Sequence, residues 1–210
     1  MDFSHWLAFF VAAWAISISP GPGAVAAMSA GLNYGFKRGY FTTFGLVMGI
    51  CTQLLVVSVG LGALVAASNT AFLIVKWAGV VYLVWLGIAQ WRAVPGPLVA
   101  QDENAPVMRR RDMVLRGWMI NAVNPKGTVF MLAVVPQFLL LEQPLLQQYL
   151  LIGATLCFTD LVVMAAYTVM AARLLAALRK PTHIRAMNRV FGILFVLAGS
   201  LLALFKRAAL

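Results

Sequence analysis

The stretch Ser17–Ser29, SISPGPGAVAAMS, decides how the fold is interpreted, because it places two prolines inside a long apolar run. The run begins at Trp6 and extends to Leu32, and an uninterrupted apolar helix of that length would cross a membrane. Proline costs about 3 kcal/mol in a helix interior, whereas at the first helical position its missing N–H costs nothing. The stretch therefore predicts a membrane helix that stops and starts again within the bilayer.

The composition is that of an integral membrane protein. Hydrophobic residues make up 62% of the 210 residues and charged residues only 10%, whereas a soluble domain is about half apolar and about one quarter charged. The first residues, 1–5, contain no Lys or Arg, which favours a spanning helix over a signal peptide. We expect an all-α protein with six transmembrane helices, within Trp6–Leu32, Thr42–Ala66, Phe72–Trp91, Gly117–Leu141, Tyr149–Ala171 and Arg189–Phe205.

Positive charge is concentrated in alternate loops. Most of the 16 Lys and Arg residues fall in or beside the first, third and fifth loops, whereas Lys76, Lys206 and Arg207 fall on the other side. By the positive-inside rule, the odd loops are cytoplasmic and both termini lie outside. The net charge of +10 is explained by this topology, so no nucleic-acid partner is expected.

A polar connector over residues 94–112 divides the chain into two blocks of three helices, residues 1–93 and 113–210. The first helix of each block carries a small polar residue followed by proline, in SPGPGAV (Ser19–Val25) and NPKGTVF (Asn124–Phe130). The segments that start at Lys76 and Arg189 also match, because each has a glycine three residues after the cation. With three spans in each block, the second block is inserted upside down, which predicts a 3+3 inverted repeat of the kind common in secondary transporters.

The two proline elements predict new helix starts inside the first and fourth spans. Ser19 and Asn124 are good N-cap residues before Pro20 and Pro125, so each break would expose free N–H groups and the positive end of a helix dipole. Such an end can bind a carboxylate. The alternative is a kink that serves helix packing. Two breaks at matching positions of an inverted pair favour a substrate site.

Asp160 is the only one of six acidic residues that lies deep within a predicted span. An ionisable group there costs about 2.5–3.5 kcal/mol, which makes it a functional candidate. We expect it to bind and release a proton as the pocket opens to either side. A structural ion pair with Lys126 is the alternative.

Other polar side chains are expected near the same place. Asn121 and Asn124 lie three residues apart on one helix surface, where Asn124 would cap the helix and Asn121 would line the cavity. Thr159 and Tyr167, beside Asp160 or on its face, and Gln53 in the second span are weaker candidates for cavity lining.

The sequence contains no HExxH, GxSxG or phosphate-binding Gly-Lys motif, and its two histidines stand alone. Neither an enzyme, a metal site nor a cofactor is therefore expected. Cys51 and Cys157 are expected to behave as small buried apolar side chains.

Five motifs together resemble the LysE/RhtB family of amino-acid exporters, and the resemblance covers nearly the whole chain. They are SPGPGA, KWAGVVYLVWLGIAQWR, NPKGTVFMLAVVPQF, FTDLVVM and NRVFGILFVLAGSLLAL. The resemblance is greatest to the homoserine and homoserine-lactone efflux group. It implies proton-coupled export of homoserine, its lactone or threonine across the bacterial inner membrane. It is also compatible with assembly of the protein as a homo-oligomer. An exporter of another amino acid, such as a basic one, and an ion or metal exporter or channel are the alternatives.

The resemblance also implies where the site lies, because the family's elements fall on residues of the two breaks and on the acid of the fifth span. The substrate carboxylate would meet the helix starts near Gly23 and Lys126, and its ammonium group would compete with a proton for Asp160. The residues expected to bind substrate are Pro20, Gly21, Pro22, Gly23, Asn121, Asn124, Pro125 and Lys126.

Overall fold

The computed structural model describes residues 1–67, 69–92, 108–140 and 142–173, with isolated positions between 185 and 200. This part of the chain is helical and contains no strand. Its helices are α1 (Phe3–Ile18), α2 (Pro22–Gly39), α3 (Phe41–Ala67), α4 (Asn69–Arg92), α5 (Arg110–Ala122), α6 (Pro125–Val134) and α7 (Leu145–Arg173), and a short 3-10 helix, Val135–Phe138, follows α6.

The apolar helices are those of a membrane protein. Among the described residues, α3 over Phe41–Gly60 and α7 over Leu145–Arg173 are each long and apolar enough to cross a membrane. Helices α1 and α2 pass the same test together, as one span that bends by 55° at the break between them. The third predicted span corresponds to α4. Most of the sixth predicted span and most of the connector over residues 94–112 lie outside the described residues.

The first span is broken, but not where the sequence predicts. Helix α1 ends at Ile18 with Ser19 as its C-cap, and α2 begins at Pro22 after the extended residue Gly21. The prediction that Ser19 caps a helix starting at Pro20 is wrong, since the Ser19 hydroxyl has no hydrogen-bond partner. The physical reason is that either proline suits a first helical position, and the chain uses the second one.

The fourth predicted span is interrupted at the predicted residue. Helix α5 ends at Ala122 and α6 begins at Pro125, with Asn124 as N-cap. The Asn124 side chain accepts a hydrogen bond of 3.1 Å from the backbone N–H of Lys126. This is the arrangement that Asn before Pro favours.

Close helix packing sets the two broken spans side by side. Helix α3 packs along α5, and α2 packs along α7. Both interfaces depend on glycine, because a Cβ atom at Gly45 would lie 1.9 Å from the Val114 carbonyl oxygen and one at Gly31 would lie 2.3 Å from that of Thr168. Small residues allow such close contact between membrane helices.

The apolar core consists of two clusters on either side of the breaks. One includes Phe9 and Phe130 and joins α1, α3, α6 and α7. The other includes Met28 and Val163 and joins α2, α3 and α7. The helix breaks and their polar side chains therefore form a layer between two apolar regions.

Candidate substrate-binding site

A cavity of about 60 Å³ lies in the polar layer between the two broken spans. This volume is several times the roughly 10–15 Å³ that one ordered water needs. Its wall contains residues from α1, α2, α3, α5, α6 and α7, which come from both halves of the chain. The lining residues are Ile16, Ser17, Ser19, Gly21, Gly23, Ala24, Ile50, Gln53, Asn121, Asn124, Lys126, Gly127, Phe130, Met131, Leu156, Asp160 and Met164.

The carbonyl groups at the end of α1 are bonded by side chains from the second half of the chain. The Lys126 ammonium group donates to the carbonyl oxygens of Ile16 and Ser19. The Tyr167 hydroxyl donates to the carbonyl oxygen of Ile18. The last carbonyl groups of a helix have no partners within the helix. These side-chain contacts satisfy carbonyl groups at the end of α1 that would otherwise lack hydrogen bonds inside a membrane.

Within the described part of the chain, no side chain bonds the start of α2 in this way. Its N-cap, Gly21, has no side chain, and no side-chain hydrogen bond caps the helix. Pro22 has no N–H, so the first free donors are the N–H groups of Gly23 and Ala24, and both residues line the cavity. The positive end of the α2 dipole is thus available to an anion in the cavity.

The start of α6 differs from that of α2 because an asparagine side chain caps one of its N–H groups. Besides accepting from the Lys126 N–H, Asn124 donates through Nδ2 to Asn121 Oδ1 at 3.0 Å. Asn121 donates in turn to the Leu46 carbonyl oxygen at 2.8 Å. Both asparagines line the cavity, but these bonds engage them in holding the backbone.

Three buried polar atoms of the cavity wall have no hydrogen-bond partner in the described part of the chain. They are Ser19 Oγ, Gln53 Oε1 and Asp160 Oδ2, on residues that are 2%, 3% and 6% exposed. Buried polar atoms are nearly always paired, so each exception calls for an explanation. Asp160 also interacts electrostatically with Lys126. The cavity therefore has unpaired donors at α2 and unpaired acceptors on α3 and α7.

The predicted residues are distributed unevenly around the cavity. Gly21, Gly23, Gln53, Asn121, Asn124, Lys126 and Asp160 line it, whereas Pro20, Pro22 and Pro125 are absent from its lining. Thr159 and Tyr167 are also absent from the lining. The Thr159 hydroxyl instead forms a hydrogen bond of 3.0 Å with Ser17 Oγ and donates to the Leu156 carbonyl. The Tyr167 hydroxyl donates to the Ile18 carbonyl at the end of α1.

Sequence reasoning missed much of the apolar wall. Ile50 lies three residues before Gln53, and Leu156 lies four residues before Asp160. Those spacings place each pair on one helix face, and extending the helical spacing from the polar residues would have found both. Ile16 and Phe130 carry no comparable signal.

The cysteine and potential metal-binding side chains bear on the two expectations made for them from the sequence. Among the described residues, no group of three or more His, Cys, Asp or Glu side chains is placed to hold a metal ion. The expectation that both cysteines are buried is wrong, since Cys51 is exposed and Cys157 is only partly buried. The two thiols lie close together, with Cys51 Sγ on α3 at 3.6 Å from Cys157 Sγ on α7. They adjoin Ile50 and Leu156, so this contact lies beside the cavity wall.

Comparison with known proteins gives a family and several relatives. A family model described as LysE type translocator matches residues 14–205. The homoserine/homoserine lactone efflux protein of Salmonella typhimurium is 39% identical over 208 residues, which cover 99% of this chain and 100% of the relative. An uncharacterized membrane protein of Vibrio cholerae is 38% identical over 98% of this chain and 100% of its own length. A leucine efflux protein of Klebsiella pneumoniae is 27% identical over 64% of this chain and 63% of its own length. No solved structure matches.

Proposed function

The chain belongs to the LysE type translocator family, and on that premise we propose that it exports homoserine, its lactone or a similar small amino acid such as threonine in exchange for protons. Its relatives are named as efflux proteins, and it is a transporter rather than an enzyme. The relative from Salmonella typhimurium, which matches over its full length, supports the substrate. The observation that carries the proposal is a cavity whose wall contains both the uncapped start of α2 and the Asp160 carboxyl group.

The substrate carboxylate binds at the start of α2. There the N–H groups of Gly23 and Ala24 are free of any side-chain cap, and a helix start favours an anion. The Lys126 side chain passes close by, since its Nζ lies 3.3 Å from the position that a Cβ atom on Gly21 would take. Because Asn124 already accepts from the Lys126 N–H, α2 offers the carboxylate more free N–H groups than α6 does, and we assign the carboxylate to α2.

The substrate ammonium group and a proton compete for Asp160. Its Oδ2 is buried without a hydrogen-bond partner, and an unpaired buried carboxylate is costly. The group is therefore occupied by a proton or by a cation in turn, which couples outward movement of substrate to inward movement of a proton.

The transporter architecture proposed here is a 3+3 inverted repeat of residues 1–93 and 113–210, in the inner membrane with both termini outside. Helix packing supports the repeat. In such a repeat the first span is equivalent to the fourth and the second to the fifth, so the contact of α1 and α2 with α7 is equivalent to that of α5 and α6 with α3. Both contacts are extensive, and each joins one half of the chain to the other.

Flux in proteoliposomes tests the proposal. A proton gradient should drive homoserine or homoserine lactone transport by the wild type, with threonine, leucine and lysine as comparison substrates. Asp160→Asn should abolish gradient-driven flux, because the amide cannot exchange a proton. Asp112→Asn is the matched control, since Asp112 is exposed in the first turn of α5. Coupled flux retained by Asp160→Asn would refute the coupling role, and conductive flux independent of the gradient would indicate a channel.

A further inference from the structure

We infer that the side-chain carbonyl of Gln53 accepts a hydrogen bond from the side-chain hydroxyl of a substrate such as homoserine, so that the site selects hydroxylated small amino acids over their apolar isosteres. The lactone of homoserine has no such hydroxyl and does not make this contact. This inference rests on the proposed export function and adds the group that distinguishes one amino acid from another. The carboxylate and ammonium contacts proposed above are common to all amino acids and select none of them.

The orientation of the Gln53 amide is fixed by its nitrogen. Nε2 donates to the Asn124 carbonyl oxygen and to Thr128 Oγ1, both at 2.8 Å. The Thr128 hydroxyl itself donates to the Asn124 carbonyl at 3.2 Å, so it offers Gln53 a lone pair and not a proton. An amide flipped end for end would place its oxygen against two acceptors, and the network therefore excludes that orientation.

This orientation leaves the Gln53 oxygen at the cavity without a hydrogen-bond partner among the described residues. Gln53 lines the cavity, and Oε1 is buried without a hydrogen bond. Gly127 makes room for it, since a Cβ atom there would lie 2.5 Å from Oε1. A buried acceptor held in place and left unpaired is complementary to a donor that a ligand supplies.

The remaining wall explains why that donor belongs to the substrate side chain. The other two unpaired atoms lie where the common groups bind, with Ser19 next to the start of α2 and Asp160 on α7. Ile50, Phe130 and Leu156 form apolar wall near them. The Gln53 oxygen is therefore a fixed hydrogen-bond acceptor in a partly apolar wall. A substrate with an alcohol O–H satisfies this oxygen, whereas a substrate with a methyl group of the same size leaves the oxygen unpaired.

A comparison of homoserine with norvaline tests this on the wild type. Norvaline has a methyl group where homoserine has its hydroxyl, and the two are otherwise alike. In proteoliposome counterflow we expect homoserine to be preferred by about two- to tenfold, the range of one neutral hydrogen bond. Because this arm uses only the unaltered protein, it does not depend on the folding of a variant.

Two variants identify the group responsible. Gln53→Met keeps the length of the side chain and removes the acceptor, so the homoserine-to-norvaline ratio should fall close to one. Thr128→Val is the matched control, since it removes one bond to Gln53 Nε2 and leaves Oε1 in place, and it should keep the wild-type ratio. General damage to the helix break lowers both fluxes together and leaves the ratio unchanged.

The outcomes separate the two proposals. Homoserine transport without preference over norvaline, or a ratio unchanged by Gln53→Met, overturns the role of Gln53 and leaves the export function standing. Transport of neither homoserine nor its lactone by the wild type overturns the proposed function and this inference with it. A ratio lost in Thr128→Val as strongly as in Gln53→Met would assign selectivity to the α6 start instead of the Gln53 oxygen.

Discussion

The hydrogen bond from Tyr167 to the end of α1 gives a stability prediction that sequence alone would not suggest. Tyr167 is 6% exposed, and its hydroxyl donates to the carbonyl oxygen of Ile18. Tyr167→Phe removes one oxygen atom and leaves that partly buried carbonyl without this donor. Leaving a buried acceptor unsatisfied costs about 1–3 kcal/mol. For a chain of this size that corresponds to a fall in Tm of about 2–12 °C.

The assay is thermal unfolding of the detergent-solubilised protein, with Tyr149→Phe as the control. The Tyr149 hydroxyl is buried and has no hydrogen-bond partner in the residues that the structure describes, so its removal should leave Tm unchanged or slightly higher. Equal Tm values for the Tyr167→Phe, Tyr149→Phe and wild-type proteins would refute the argument, because they would mean that the end of α1 does not depend on Tyr167.

Two further predictions concern helix packing and the thiol pair. Gly45→Ala should destabilise the protein by about 1–3 kcal/mol or more, because its methyl group would meet the Val114 carbonyl. The control is Gly60→Ala, which has nothing within 4 Å of the new Cβ atom and should be neutral or stabilising in thermal unfolding. The reverse order of stability would contradict close α3–α5 packing. Treatment with the oxidant diamide should form a disulfide between Cys51 and Cys157, whose sulfur atoms lie 3.6 Å apart. Mass spectrometry should show the loss of two hydrogens in the wild type and no such loss in Cys51→Ser. An unchanged wild-type mass would show that the thiols do not meet.

Much of the architecture follows from local chemistry and could be predicted from the sequence. Apolar stretches of about 20 residues identify the spans. Pro125 after Asn124 fixed the start of α6, because an N-cap and the missing proline N–H are properties of adjacent residues. The same reasoning located the first break but chose Pro20 over Pro22, since two prolines two residues apart satisfy the same local rule.

The partners of the buried polar groups were decided by the tertiary structure. Lys126 and Ser19 are 107 positions apart, and no local pattern shows that this ammonium group bonds the end of α1 while the start of α2 stays open. Asn124 caps α6 and Asn121 lines the cavity, as predicted, but the sequence did not show that Asn121 also bonds the Leu46 carbonyl or that Gln53, a weaker candidate, keeps an unpaired oxygen. The sequence by itself determined that a membrane helix breaks and that one acid is buried, because backbone sterics and hydropathy act locally. Which donors and acceptors remain for a substrate depends on contacts between distant segments, and only the packed structure supplies them.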